Sequence, residues 1–203
     1  MKNKALIIFT RNPELGKVKT RLAKTIGDKR TLEIYKELLL HTRNETQYID
    51  CDKFLFYDTT IVENDIWSRA HFNKELQTPG DLGTKMQAAF DSLFNKGYDH
   101  CVVVGSDLFD LKAGIIESAF NALQNNDAVV GPAEDGGYYL LGLNQSTPAV
   151  FTNKEWGTAT VFKSTMNDLE KLQVKLLATL NDIDTFEDLE RSGYNVDLIK
   201  HKL

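Results

Sequence analysis

The most restrictive feature of this sequence is a repeated exchange between two hydrophobic periods. Ala5-Leu6-Ile7-Ile8-Phe9 is an unbroken apolar run of strand length, and Cys101-Val102-Val103-Val104 is another. A strand that is apolar at every position has to be covered on both faces, which is the condition of a strand inside a parallel sheet. Lys53 to Tyr57, Ala128 to Val130, Tyr138 to Leu141 and Val174 to Leu177 read as further strands. Helical spacing fills the intervals: Leu32, Tyr35, Leu38 and Leu39 between about Lys29 and Gln47; Met86, Ala89, Phe90, Leu93 and Phe94; Ile115, Ile116, Ala119, Phe120 and Leu123; Val161, Phe162, Met166 and Leu169. Thr84-Lys85-Met86-Gln87 matches a capping box opening the second of these, and Phe186 to Glu190 reads as a short helix. Strands alternating with helices predict an α/β chain, a single three-layer α/β/α domain with a mainly parallel sheet. No repeat, low-complexity tract or Pro/Ser-rich linker divides the 203 residues, so one domain over 1–203 is expected.

Charge and cysteine content narrow the function classes. Lys plus Arg number 24 against 29 Asp plus Glu, a net charge of -5, which argues against non-specific nucleic-acid binding. Cys51 and Cys101 lack metal-ligand spacing and suit a reducing compartment. The apolar run after Met1-Lys2-Asn3-Lys4 is too short for a signal-peptide core, and no stretch approaches a membrane span. A cytoplasmic protein without a membrane span is expected.

Ligands of open α/β sheets bind beyond the carboxyl ends of the strands, so the segments after each apolar run carry the chemistry. Strand one is followed by Arg11-Asn12-Pro13-Glu14-Leu15-Gly16-Lys17-Val18-Lys19-Thr20-Arg21. Arg11, Lys17, Lys19 and Arg21 surround one glycine turn in an otherwise acidic chain, with Gly16 and Thr20 beside them. Backbone N–H groups with Lys and Arg suit a di- or triphosphate; the alternative is a solvated basic turn. The segment is not a P-loop, because Val18 stands where Ser or Thr should follow Gly16-Lys17. The chain contains no Gly-x-Gly, so the dinucleotide fingerprint is missing as well.

Gly105-Ser106-Asp107 follows the valine strand, placing a carboxylate where Mg2+ or Mn2+ could be held, unless Asp107 only caps the next helix or closes a turn. In Asn181-Asp182-Ile183-Asp184-Thr185-Phe186-Glu187-Asp188, Thr185 and Asp188 fit a helix cap. Asp184 is then left as a second metal ligand and Asp182 as a solvated neighbour. Gly131-Pro132-Ala133-Glu134-Asp135-Gly136-Gly137-Tyr138-Tyr139 joins two strands. Its Asp-Gly-Gly core is either plain hairpin chemistry or a close approach for ligand, with Asp135 or Glu134 binding or deprotonating an acceptor hydroxyl. Gly80 and Gly83 lie in a turn that either folds over a nucleobase or is only a turn. Trp156-Gly157-Thr158 precedes a helix, where Thr158 is an N-cap and Trp156 a core residue on the plainer reading. His41, His71, His100 and His201 lack zinc spacing and read as structural.

In order, Arg11-Asn12-Pro13-x-x-Gly16-x-x-Lys19-Thr20-Arg21-Leu22, Gly80-Asp81-Leu82-Gly83-x-x-Met86, Gly105-Ser106-Asp107, Gly131-Pro132-x-x-Asp135-Gly136-Gly137-Tyr138-Tyr139-Leu140, Trp156-Gly157-Thr158 and Asp182-Ile183-Asp184-Thr185-x-x-Asp188-Leu189 span nearly the whole chain. This series resembles the DUF2064 family of predicted glycosyltransferases, which have the nucleotide-diphospho-sugar transferase (GT-A) fold. It is also similar to guanylyltransferases acting on phospholactate. The resemblance implies a nucleotide site at the strand-one loop, a metal on Asp107, and acceptor contacts around Asp135, Gly136, Gly137 and Tyr138, with Trp156 and Thr158 nearby. One departure is Phe109, which stands where the family usually has Pro and predicts a looser turn beyond Asp107.

Three functions follow as expectations. The first is a metal-dependent transferase moving sugar from a nucleotide-diphospho-sugar to an acceptor, with Asp135 as the catalytic group. The second is a nucleotidyltransferase joining a nucleoside triphosphate to a phosphorylated small molecule with release of pyrophosphate. The third is a nucleotide-binding protein without turnover, for which Phe109 is the one supporting feature.

Overall fold

A computed structural model describes residues 4–192 and 194; His201 and residues 1–3 of the N-terminal run lie outside them. The apolar run at the start forms β1 (Lys4–Thr10), followed by α1 (Thr20–Ile26), α2 (Asp28–Thr46), β2 (Asp52–Tyr57), β3 (Asn73–Leu76), α3 (Leu82–Asn95) and β4 (His100–Val104). Then come α4 (Ala113–Ala122), β5 (Ala128–Pro132), β6 (Tyr138–Leu143), a 3-10 turn (Pro148–Phe151), α5 (Val161–Asp168), β7 (Val174–Leu176) and α6 (Phe186–Arg191). The seven strands among the described residues join one sheet in the order β3-β2-β1-β4-β6-β5-β7. Every pairing is parallel except those of β6, which runs against β4 and β5.

The continuous apolar strands are covered on both faces, as their composition requires. Alternate residues of β1 feed two cores: Leu6 and Ile8 pack with Tyr35 and Leu39 of α2 and Ile116 and Phe120 of α4. Ala5 and Ile7 pack with Met86, Phe90 and Leu93 of α3 and Phe151 of the 3-10 turn. This gives the three layers. A third cluster ties α1 to α2 and α6 through Leu22, Ile26, Ile34, Leu38, Ile183 and Leu189.

The register places the functional edge. Thr10 pairs with Tyr57 and Tyr57 with Leu76, while Ile8 pairs with Val104, Val104 with Leu140, and Pro132 with Tyr138. Because β6 is antiparallel, its beginning lies beside the ends of β4 and β5. The loops after β1, β2 and β4, the β5–β6 hairpin and the chain leaving β7 therefore gather on one edge.

Several local expectations need correction. Helix α3 begins at Leu82, capped by Asp81, whose carboxylate accepts from the Thr84 N–H at 2.8 Å. Asp81 wins because Thr84 is already inside the helix. Helix α1 begins at Thr20 and so takes in the last two residues, Thr20 and Arg21, of the segment read as a phosphate loop, and β3 is an addition to the expected strands, its four residues being too polar to show a strand pattern. Asp107 caps no helix, since the N-cap of α4 is Lys112, and that of α5 is Thr160 rather than Thr158. Phe109, where the sequence predicts a looser turn, packs its ring 4.9 Å from His41 and 5.6 Å from Tyr194, against the third core cluster. The reading of Thr185 and Asp188 as a reciprocal cap does hold.

Candidate active site

A cavity of about 770 Å³ opens on this edge of the sheet. Its floor is the ends of β1 and β4, and its walls come from the loops just described. Arg11, Lys19, Thr20, Arg21, Asp107, Asp135, Gly137, Tyr138, Trp156, Thr158 and Asp184 all line it. Six of the residues singled out in the sequence do not: Gly16, Lys17, Gly80, Gly83, Glu134 and Gly136. Lys17 pairs with Glu14 at 2.5 Å on the surface. Gly83 is buried in the first turn of α3, where a Cβ would stand 2.2 Å from the Phe151 carbonyl oxygen and 2.9 Å from Trp156. Gly136 has φ +89°, and a Cβ there would fall 2.5 Å from the Ala159 backbone. The glycines thus shape the walls from behind.

Lys19 is the centre of the site. It adopts a left-handed backbone (φ 46°) just before α1, an uncommon conformation for a residue with a side chain. Its ammonium donates to Asp107 Oδ2 at 2.6 Å and to Asp184 Oδ1 at 3.2 Å, and its side chain is 8% exposed. Arg21 meets the other oxygen of Asp184 at 3.0 Å. Burial alone would make the ammonium easier to deprotonate, but Asp107 and Asp184 outweigh it and hold Lys19 above the ordinary lysine range. Asp107 enters from the end of β4 and Asp184 from the segment before α6, where the Ile183 N–H donates to the Asp107 carbonyl at 3.3 Å.

Those two carboxylates converge on one cationic point, which is the requirement for a shared divalent ion. Mg2+ commonly takes one or two carboxylates and completes its shell with water and phosphate oxygens. Among the described residues no group of three or more His, Cys, Asp or Glu forms a metal cage, so the donor set fits an ion of that kind and not a structural zinc.

Asp182 is not the solvated neighbour its sequence position suggests. It lines the cavity, and burial together with the Asp107 and Asp135 charges pushes its carboxyl up to about 6. The signal that could have found it is the alternation Asp182-Ile183-Asp184, with Ile183 fully buried and the two acids on the opposite face. Asp135 accepts from the Gly137 N–H at 2.7 Å, so the hairpin reading is satisfied while the residue still faces the cavity. Tyr35, which no motif marks, anchors the first loop: its hydroxyl accepts from the Arg11 N–H and donates to the Arg11 carbonyl, both at 3.1 Å. Gln77, Lys85 and Asp58, none of them a site candidate in the sequence, add to the polar lining.

The fold has counterparts among known proteins. A solved Desulfovibrio desulfuricans G20 protein, provisionally described as a nucleotide-diphospho-sugar transferase, superposes with a TM-score of 0.86 at 32% identity, covering 100% of this chain and 89% of that one. The 4-diphosphocytidyl-2C-methyl-D-erythritol synthase of Anaerococcus prevotii shares the fold at 12% identity (TM-score 0.62; 94% and 96% covered). So does the Rv0371C protein of Mycobacterium tuberculosis, solved in complex with manganese, at 13% identity (TM-score 0.54; 94% and 97% covered). A comparison with curated proteins gives no match. The family model described as "Uncharacterized protein conserved in bacteria (DUF2064)" matches residues 43–158, more than half of the sequence. With that match and the D. desulfuricans relative together, the chain belongs to the DUF2064 family and has the nucleotide-diphospho-sugar transferase fold.

Proposed function

We propose that this chain is a transferase that takes a sugar from a nucleotide-diphospho-sugar and passes it to a hydroxyl-bearing acceptor. The observation that carries the reading is the division of labour around one cavity. Arg11, Lys19 and Arg21 come from the segment after β1, with Asp107 and Asp184 opposite them. The wall built by the β5–β6 hairpin, β6 and residues 156–158 contributes Asp135, Tyr138, Tyr139, Trp156 and Thr158 and no cation. Carboxylates, hydroxyls and aromatic rings recognise a polyhydroxyl acceptor, and among the described residues Lys85 of α3 is the one lining cation outside the β1 segment. The D. desulfuricans relative's description points to the same donor class.

Each residue then has a task. Arg11 and Arg21 bind and orient the diphosphate through charge-assisted hydrogen bonds. Asp107 and Asp184 would hold Mg2+ or Mn2+, which when bound supplies charge neutralisation for the departing nucleoside diphosphate. Tyr138 and Trp156, whose rings meet edge to face 6.4 Å apart, present apolar surface to a sugar ring. Asp135 positions the acceptor hydroxyl and takes its proton as the new bond forms.

A second reading is nucleotidyl transfer from a nucleoside triphosphate, favoured by the three cations grouped on the β1 side and by the shared fold of the cytidyl-transferring relative. The products separate the two. Incubation with nucleotide sugars or nucleoside triphosphates, with Mn2+ and a mixed acceptor pool, should release nucleoside diphosphate. Release of pyrophosphate instead would replace the first reading with the second.

A further inference from the structure

Lys19 does more in this structure than a phosphate ligand needs to do. Its ammonium already holds both carboxylates proposed to take the divalent ion, at 2.6 and 3.2 Å. Lys19 and Arg21 together offset Asp107 and Asp184 charge for charge, which leaves those oxygens little attraction for a further cation. Lys19 is the buried member of the set, whereas the side chains of Asp107 and Asp184 are 33% and 39% exposed toward the cavity. An ion or phosphate can therefore reach them without unfolding the site.

We propose that Lys19 is an exchangeable counter-ion: it guards Asp107 and Asp184 until a nucleotide's phosphates draw its ammonium away, so that the divalent ion binds tightly only together with the nucleotide. The inference rests on the nucleotide reading above and adds an order and a coupling to it. Removing one partner from a buried ion pair leaves an uncompensated charge, which is strongly unfavourable. If metal enters alone, the Lys19 ammonium loses its carboxylates. Should phosphate take the ammonium alone, the carboxylates lose their cation. When both enter, every charge keeps a partner, and that difference is a coupling free energy that each ligand must exert equally on the other. The left-handed Lys19 backbone, two residues before Arg21 and in the same cavity wall as Arg11, puts the ammonium within the group that would receive the phosphates.

The test is Mn2+ binding to the full chain, followed by the electron paramagnetic resonance signal of free Mn2+, with and without UDP, GDP, CDP or ADP. Wild-type protein should bind Mn2+ about ten-fold or more tightly once a bound diphosphate is present, within the usual range of coupling between sites. Lys19→Met should bind Mn2+ about ten-fold more tightly than wild type without nucleotide and gain little further from it, while Lys19→Arg keeps the wild-type pattern. Equal Mn2+ affinity of wild type and Lys19→Met would overturn the proposal. So would wild-type affinity that is the same with and without a bound diphosphate, a comparison that needs no variant to fold. If a diphosphate raises the melting temperature of wild type but Mn2+ binding ignores it, only the exchange fails. When no diphosphate binds with or without Mn2+, the nucleotide reading fails and takes the exchange with it.

Discussion

The backbone N–H of Asn12 donates to the carboxylate of Asp58 at 2.7 Å, joining the loop after β1 to the end of β2 across the mouth of the cavity. The Asn12 side chain completes the join. Its amide nitrogen donates to the Thr60 carbonyl at 2.9 Å, and its oxygen accepts from the Thr59 hydroxyl at 2.9 Å and from the Thr59 and Thr60 N–H groups at 3.3 Å. Arg11, the residue before, is thereby held over the cavity, in a loop whose one member of the core clusters is Val18. Asn12→Ala should lose about 2–3 kcal/mol through these unmade bonds and weaken nucleotide binding without touching a ligand. Thermal unfolding should show a fall of roughly 5–10 °C for a domain of this size. An unchanged melting temperature would mean the loop is held elsewhere.

A buried ammonium organises the long β2–β3 connection. Lys74 has a fully buried side chain and donates to the Val62 and Glu63 carbonyls and to Asp65 at 2.8 Å, while Asp65 also accepts from the Tyr57 hydroxyl at 2.6 Å. Lys74→Met should cost about 3–5 kcal/mol, because Asp65 and two carbonyls lose their cation. Lys74→Met with Asp65→Asn should recover part of that loss, and the double-mutant cycle by urea unfolding measures how much. Strict additivity would show that the pair is not coupled.

Glycine positions separate packing from freedom. Gly83→Ala should be severely destabilising, because its Cβ would overlap the Phe151 carbonyl at 2.2 Å and close the contact that seats Trp156. At Gly114, in α4, an added methyl group would meet nothing within 4 Å, so Gly114→Ala should stabilise by about 0.5–1 kcal/mol through the unfolded chain. Melting temperatures of the two variants should move in opposite directions.

The sheet is legible in the sequence because its strands are buried on both faces and so are written in continuous apolar letters. Even the antiparallel hairpin is marked by Asp135-Gly136-Gly137. The elements without a sequence signal are those whose stability is tertiary. Strand β3 is an edge strand with Asn73, Lys74 and Glu75 in it, held through β2 and a buried lysine that no local pattern announces. Helix α1 is hidden because Lys19, Thr20 and Arg21 read as phosphate chemistry, and its apolar residues Leu22 and Ile26 belong to the third cluster, completed by the following α2 and by distant Ile183 and Leu189. The site residues that fall in the cavity follow from the strand-end rule, since topology alone brings them to one edge. Lys17, Gly16 and Gly80 share their neighbours' chemistry but not their orientation, and orientation is set by turns that composition does not fix.

Asp182 gives a pH dependence with a definite sign. Its carboxyl is pushed up to about 6 by burial first and then by Asp107 and Asp135, against about 3.9 in an unfolded chain. The folded protein therefore holds this proton more tightly than the unfolded one, and the stability it contributes is complete below about pH 4 and lost as pH rises through about 6. In chelator-treated protein Asp182→Asn should raise stability at pH 7–8 by about 1–2 kcal/mol and change little at pH 4. Denaturant titrations at the two pH values check this; an equal effect at both would remove the charge from the explanation.

The central claim is that the cavity at the strand ends takes a nucleotide's phosphates jointly with a divalent ion. The most direct measurement is the melting temperature of the wild-type chain against a panel of nucleotide sugars, nucleoside diphosphates and triphosphates, each with Mn2+ and with chelator. A ligand that binds only the folded state must raise the transition, by about 2.7 kcal/mol at a hundred-fold excess over its dissociation constant. A rise for a nucleotide sugar and its diphosphate that requires Mn2+ and is abolished in Asp107→Ala is the predicted result. No rise across the panel, or one that survives chelation and the Asp107 substitution unchanged, would contradict the account.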